Sequence, residues 1–220
     1  LIDAPDAVRV PNTTGLYHFA LLLPTRADLA QSLLHLAQSQ VSLVGLSDHI
    51  VSEVIYLADP DGNGIEIYAD RPRTDWYKDG QMQLATLPLD VDSLLSELAT
   101  DATPWSGLPP QTTMGHVHLH VSDIPQTKAF YRDQLGFEMM FTMSSALFMA
   151  YDGYHHHLGA NIWGGREAPP ANAIGLDHVD LHFDAAAFAS IQARVGVEPA
   201  ADTMQIDDPS GNRLVLHRSI

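Results

Sequence analysis

Cysteine is absent from all 220 residues, which excludes disulfides, zinc–thiolate sites and thiol nucleophiles and fits a reducing compartment, the cytoplasm being the expected one. Cations are scarce: 11 Lys and Arg against 27 Asp and Glu leave a formal charge of −16. Phosphate backbones and anionic lipids are bound through Lys and Arg, so neither nucleic acid nor a membrane is an expected partner. No apolar run approaches the roughly 18 residues of a membrane span, and the opening LIDAPDAVRVP has neither the charged start nor the apolar stretch of a signal peptide. What is present is ordinary globular composition, 45% hydrophobic and 17% charged, with one excess: 12 histidines, several of them clustered. That clustering points to metal or proton chemistry.

The chain repeats itself. Residues 13–24 alternate as a strand, with His18, Ala20 and Leu22 on one face. Thr25 and Asp28 then form a capping box with Asp in place of Glu, opening a helix expected through Gln40. SEVIYLA (52–58) and GIEIYAD (64–70) read as strands around a DPDGNG turn. The same order returns from 115 with a strand, a helix over 125–135 stopped by Gly136, and three strands within 137–163. It returns again from 175 with a strand, a helix over 184–195 closed by Gly196, and strands MQID and NRLVLHR around DPSGN.

The expected fold is therefore α+β, built from repeated βαβββ modules that pair into curved, cup-shaped mixed sheets. Modules are assigned to 13–72, 113–165 and 166–220, the last one degenerate, with a linker over 73–112 that carries a short helix at 91–98. Such modules pair, and three is an odd number. Residues 1–12 accordingly read as the tail of a further module, so the chain is expected to begin inside a four-module protein. An uncovered sheet face on the last module would make a homodimer a natural assembly.

The module openings align as GLYHFAL, GHVHLHV and GLDHVDL, bringing His18, His116 and His178 to corresponding places. Aligning the two DPxGN turns sets Glu66 against Val215 and Tyr56 against Gln205, so only the first copy offers a carboxylate and a phenol. Two imidazoles and one carboxylate on curved strands make a facial triad with open positions, the arrangement of non-haem Fe(II) oxygenases; the same donors also accept Mn(II) or Zn(II).

These modules resemble those of the vicinal oxygen chelate superfamily, which includes glyoxalases, bleomycin-resistance proteins and extradiol ring-cleaving dioxygenases. The stretch from His49 through Ile55-Tyr56, Asp59-Pro60 and Gly62 to Glu66 further resembles the extradiol dioxygenase signature, with Ser47 a departure two places before the histidine. The resemblance, to the catechol 2,3-dioxygenase-like branch, implies an Fe(II)-dependent enzyme that cleaves a catechol- or hydroquinone-like ring with dioxygen. It implies His18 and Glu66 as metal ligands, His49 as acid/base and Tyr56 as the hydroxyl that bonds the substrate oxygen. The third ligand is open between His116, His178 and a residue of a preceding module; His116 is favoured, because pairing its module with the first completes the cup within this chain. A glyoxalase-like isomerase or lyase would want a second carboxylate, and a non-catalytic binder of aromatic ligands has no need of His49 and Tyr56. His118 and His120 share the face of His116 and read as cavity lining, while His155 and His157, expected to point together from a strand, are further candidates to meet substrate.

Overall fold

A computed structural model describes residues 2–98, 105–197 and 201–219. The chain divides into two compact units, one running His18–His116 and the other comprising the residues up to Tyr17 together with those from Val117 onward.

The His18–His116 unit begins in strand β1 (Gly15–Leu22) and continues through helix α1 (Arg26–Gln38), β2 (Gly45–Asp48), β3 (Ser52–Ala58) and β4 (Gly64–Asp70). The strands run in the order β2-β3-β4-β1, with β3 and β4 antiparallel and β4 parallel to β1. Thr25 caps α1 as its sequence requires, its hydroxyl oxygen accepting the Asp28 N–H. The helix stops two residues short of the expected Gln40. Gln40 takes φ 55, and the N–H groups of Gln40 and Val41 turn back to the carbonyls of Ala37 and Leu36, a left-handed close that an extended helix could not make. Leu29, Ala30 and Leu33 of α1 bury one face of the sheet with Ile55, Ile67 and Ala69. The opposite face, defined by His18, Ala20, Glu66, Tyr68, Val54 and Tyr56, is left for chemistry.

Part of the segment read as linker adds structure to this unit. After a hairpin of β5 (Tyr77–Lys78) and β6 (Gln81–Met82), β7 (Leu87–Pro88) pairs with β2, and helix α2 (Val91–Leu95), capped by Asp90, packs Leu94 into the core under α1.

The other unit takes over the second half of β8 (Thr113–His120) and adds α3 (Ile124–Ala129), β9 (Glu138–Thr142), β10 (Ala146–Ala150) and β11 (Leu158–Asn161), ordered β8-β11-β10-β9. Asp123 caps α3 and Pro125 occupies its first turn; a π-helical turn over Phe130–Gln134 follows, and Gly136 at φ 83 ends it. A separate sheet of β12 (Val179–Phe183), β14 (Arg213–Arg218) and β13 (Thr203–Asp207), backed by α4 (Ala185–Val195), completes the unit. One apolar core joins the two halves of the unit: Leu119, Tyr131, Phe137 and Met149 meet Phe183, Phe188, Leu214 and Leu216.

The two DPxGN turns are the same object. Asp59 and Asp208 each accept the N–H and the side-chain amide of the Asn four residues on, and Gly62 and Gly211 take φ 83 and 84. Tyr56 stands opposite Glu66, and Gln205 opposite Val215. The turn and the strand pair around it are thus shared, although no strand corresponding to β2 stands between α4 and β13 among the described residues.

Candidate metal centre

Three side chains converge in the His18–His116 unit. Parallel pairing sets Ala20 of β1 beside Glu66 of β4, so His18 and Glu66 rise from the same face. His18 Nε2 lies 3.1 Å from Glu66 Oε2, His116 Nε2 lies 3.4 Å from the same oxygen, and the two ring nitrogens are 3.4 Å apart. All three residues are buried, at 3 to 5% exposure. Among the described residues this is the group of His and carboxylate donors arranged to hold an ion.

The spacing tests the fit. Donors about 2.1 Å from one ion are separated by about 3.0 Å at right angles and about 3.4 Å at the tetrahedral angle. The observed 3.1 to 3.4 Å spans that range, so the residues fit a metal. Burial by itself would push the Glu66 carboxyl up, but the charge and hydrogen bond of His116, then those of His18, outweigh it and hold the group well below the usual carboxylate range. The site presents one carboxylate and two imidazole nitrogens, a mixed O/N set that suits Fe(II), Mn(II) or Zn(II).

His49 and Tyr56 form a pair on the same unit. The Tyr56 hydroxyl lies 2.8 Å from His49 Nε2, and His49 Nδ1 lies 2.6 Å from the Ala85 carbonyl. A carbonyl only accepts, so Nδ1 carries a proton; in the neutral ring Nε2 then holds the lone pair and accepts from the phenol. The Tyr56 ring sits 5.8 Å from that of His18, which brings the pair alongside the three convergent groups. Ala85 belongs to the segment read as linker, and a backbone carbonyl leaves no mark in a sequence.

Comparison with known proteins places the chain in a family. A sequence model of the Glyoxalase/Bleomycin resistance protein/Dioxygenase superfamily matches residues 113–216. Over 223 aligned residues the chain is 44% identical to a Bacillus subtilis (strain 168) protein named catechol-2,3-dioxygenase, with 95% of this chain and 77% of that one covered. The chain belongs to this superfamily. Its fold is shared with a solved Bacillus subtilis strain 168 structure (TM-score 0.60, 11% identity, 98% of this chain and 64% of that one) and with glyoxalase I from Zea mays (TM-score 0.50, 13% identity, 96% and 69%). The chain therefore spans somewhat under two thirds of the first of these structures.

The other histidines of this superfamily member have different surroundings. His178 precedes β12 instead of lying on it; it is half-buried, and its ring nitrogens pair with Asp177 at 2.5 Å and Asp180 at 3.1 Å. The hydrogen bond it donates to Asp177 raises its pKa, against the opposing effect of desolvation. His178 is thus a surface group, outside the convergent three. His118 is buried under the edge of Tyr17 and packed on Gly159, and His120 bonds Asn161 at 2.8 Å. His155, His156 and His157 do not extend a strand, because Asp152 and Gly153 turn the chain at φ 57 and 62 and β11 begins only at Leu158. His155 Nδ1 lies 2.8 Å from His156 Nδ1, and the rings of His155 and His157 both lie against that of Tyr154, at 4.1 and 4.8 Å.

Gly115, directly before His116, is a further residue that shapes the site, and only its surroundings in the fold reveal it. A Cβ there would stand 1.9 Å from the hydroxyl of Tyr68, a fully buried residue whose ring packs 5.0 Å from that of His116. Gly115→Ala is expected to drive the two rings apart, costing about 1–3 kcal/mol of stability as core overpacking does. Thermal denaturation and metal content would both register it; a melting temperature and occupancy equal to the parent's would contradict the packing described.

Proposed function

We propose that the chain is an extradiol ring-cleaving dioxygenase, an oxidoreductase that opens a catechol- or hydroquinone-like aromatic with dioxygen, using Fe(II) held by His18, Glu66 and His116. The observation that carries this reading is the single site that combines two imidazole nitrogens and one carboxylate oxygen 3.1 to 3.4 Å apart with a histidine–tyrosine pair beside it. The 44% identity over 95% of the chain to a protein named catechol-2,3-dioxygenase supports it independently.

Ferrous iron supplies, when bound, the redox link between a chelated catechol and dioxygen, so that both oxygen atoms enter the ring-opened product without an external reductant. The protein's own share is binding, orientation and proton movement. Held as a carboxylate beside two imidazoles that ligate through their lone pairs, Glu66 would bring one negative charge to a divalent ion, leaving a net positive site suited to a catecholate. His49 Nε2 is the basic atom poised to receive a substrate hydroxyl proton, and the Tyr56 hydroxyl, already hydrogen-bonded to it, is placed to bond the substrate oxygen. Ala20, Val54 and Tyr68 form an apolar layer on the same face as the ligands, which limits water near them. A glyoxalase-type reaction is less well supported because the convergent group holds one carboxylate, and simple ligand sequestration leaves the His49–Tyr56 pair without a task.

The test is metal analysis of anaerobically purified protein followed by oxygen uptake with Fe(II) and catechol, with Mn(II) and Zn(II) as parallel arms. The expected result is one metal per chain, and stoichiometric uptake with a yellow ring-opened product in the iron arm. Protein that takes up no metal even on reconstitution, or that holds iron and consumes no oxygen with any catechol, would overturn the reading.

A further inference from the structure

His49 is carried on a turn that is held in an unfavourable shape. Asp48 and Glu53 are the last facing residues of β2 and β3, and the His49 N–H donates to the Ser52 carbonyl at 2.8 Å to close the turn. Within it Ile50 has φ 71. That left-handed region suits glycine and is disfavoured for a β-branched side chain. The turn is held there by a clamp. Asp48 Oδ1 accepts the Ile50 N–H at 2.8 Å, and Asp48 Oδ2 accepts from Arg71 Nη2 at 2.7 Å. The Arg71 backbone N–H donates to the Val51 carbonyl at 2.8 Å.

The clamp is itself anchored. Arg71 Nη2 also donates to Glu53, which is 1% exposed, and the same carboxylate takes two hydrogen bonds from Arg26. Arg26 in turn reaches the Ser93 carbonyl, the Ser93 hydroxyl and Glu97 at α2. Two guanidinium groups thus link three carboxylates, Asp48, Glu53 and Glu97, in a chain of charge-assisted hydrogen bonds of the kind that fixes geometry well. Asp48 is its end member on the β2 side. Its backbone also pairs with Leu87 of β7, close to the Ala85 carbonyl that holds His49 Nδ1. One residue therefore governs the turn on which His49 sits and the strand that supplies its partner.

We propose that Asp48, locked by Arg71, is a positioning residue for His49: by holding Ile50 in the left-handed conformation it aims the imidazole at the Tyr56 hydroxyl. This rests on the dioxygenase reading above, in which His49 handles the substrate proton. Asp48 touches neither substrate nor metal ligands and acts through the turn alone.

The experiment compares iron-loaded parent, Asp48→Ala, Asp48→Ala/Ile50→Gly and His49→Ala by oxygen uptake with catechol, iron content, and ¹⁵N NMR of the His49 ring. Asp48→Ala is expected to lower kcat by roughly 10- to 100-fold, the range seen when an orienting partner is lost, with KM and iron content within about twofold. The NMR signature of a protonated Nδ1 should weaken in the same variant. Adding Ile50→Gly should recover most of the loss in both readouts, because glycine adopts this φ without the clamp. Asp48→Asn, which keeps an acceptor for the Ile50 N–H, should fall between parent and Asp48→Ala, and serves if the alanine variant does not fold. The proposal is overturned if Asp48→Ala or Asp48→Asn retains parental kcat and ring signature, or if glycine at 50 restores nothing. A separate failure is distinguishable: His49→Ala with parental kcat would remove the role of His49 itself, whatever Asp48 does.

Discussion

Replacing Glu66 by alanine is expected to empty the site of metal and abolish ring cleavage. Glu66 is the one donor of the three that can bring a negative charge to the ion. Without it, two neutral imidazoles face a divalent ion alone. Loss of a group that only orients a ligand weakens metal affinity by about 10- to 100-fold, so loss of the ligand itself should exceed about 100-fold. The fold should survive, because Glu66 lies on the face opposite the Leu29, Leu33, Ile55 and Ile67 core. Iron content by elemental analysis, oxygen uptake and a thermal melt separate these effects. Stoichiometric iron and parental uptake in the variant would remove Glu66 from the ligand set.

His49→Ala should behave in the opposite way, keeping the metal and losing the chemistry. His49 is not one of the three convergent groups, and its contacts are to Tyr56 and to the Ala85 carbonyl. General acid–base groups contribute typically about 10²- to 10⁴-fold in rate, and a fall of kcat in that range is expected with iron content unchanged. Tyr56→Phe should cost less, since the ring remains beside His18 and only the hydroxyl is lost. Single-turnover oxygen uptake on iron-loaded protein measures the step directly. A kcat for His49→Ala within about threefold of the parent would move the proton task to another group.

Much of this site could be read from the residues alone. The strands Ser52–Ala58 and Gly64–Asp70 carry strong alternation and a turn whose Asp, Asn and Gly leave little choice of backbone, so both strands and the turn between them were legible, while the pairing of Tyr56 with Glu66 needed the structure. His116 was reached through the module alignment, and the structure sets it beside His18 and Glu66. Short edge elements escaped. β2 has four residues and β7 two, one of them Pro88, and a proline reads as an interruption until a neighbouring strand uses its carbonyl side. The clamp on His49 escaped too, because Asp48, Glu53, Arg26 and Arg71 are ordinary charges in a list of residues and become a network only when β2, β3 and α1 are assembled. His178 stands one residue ahead of the strand the repeat predicts, where the local Asp177 and Asp180 offer its imidazole two carboxylates.

His18 and His116 are the first and last residues of one compact unit, and Glu66 lies near its middle. An ion bound by all three acts as a cross-link between the ends of that unit and its central strand, closing two long loops of the unfolded chain at once. Opening the unit and releasing the ion then become a single event, so each is resisted by the other. On the proposed reading the metal centre would double as a fastener, holding the unit closed as well as serving the chemistry.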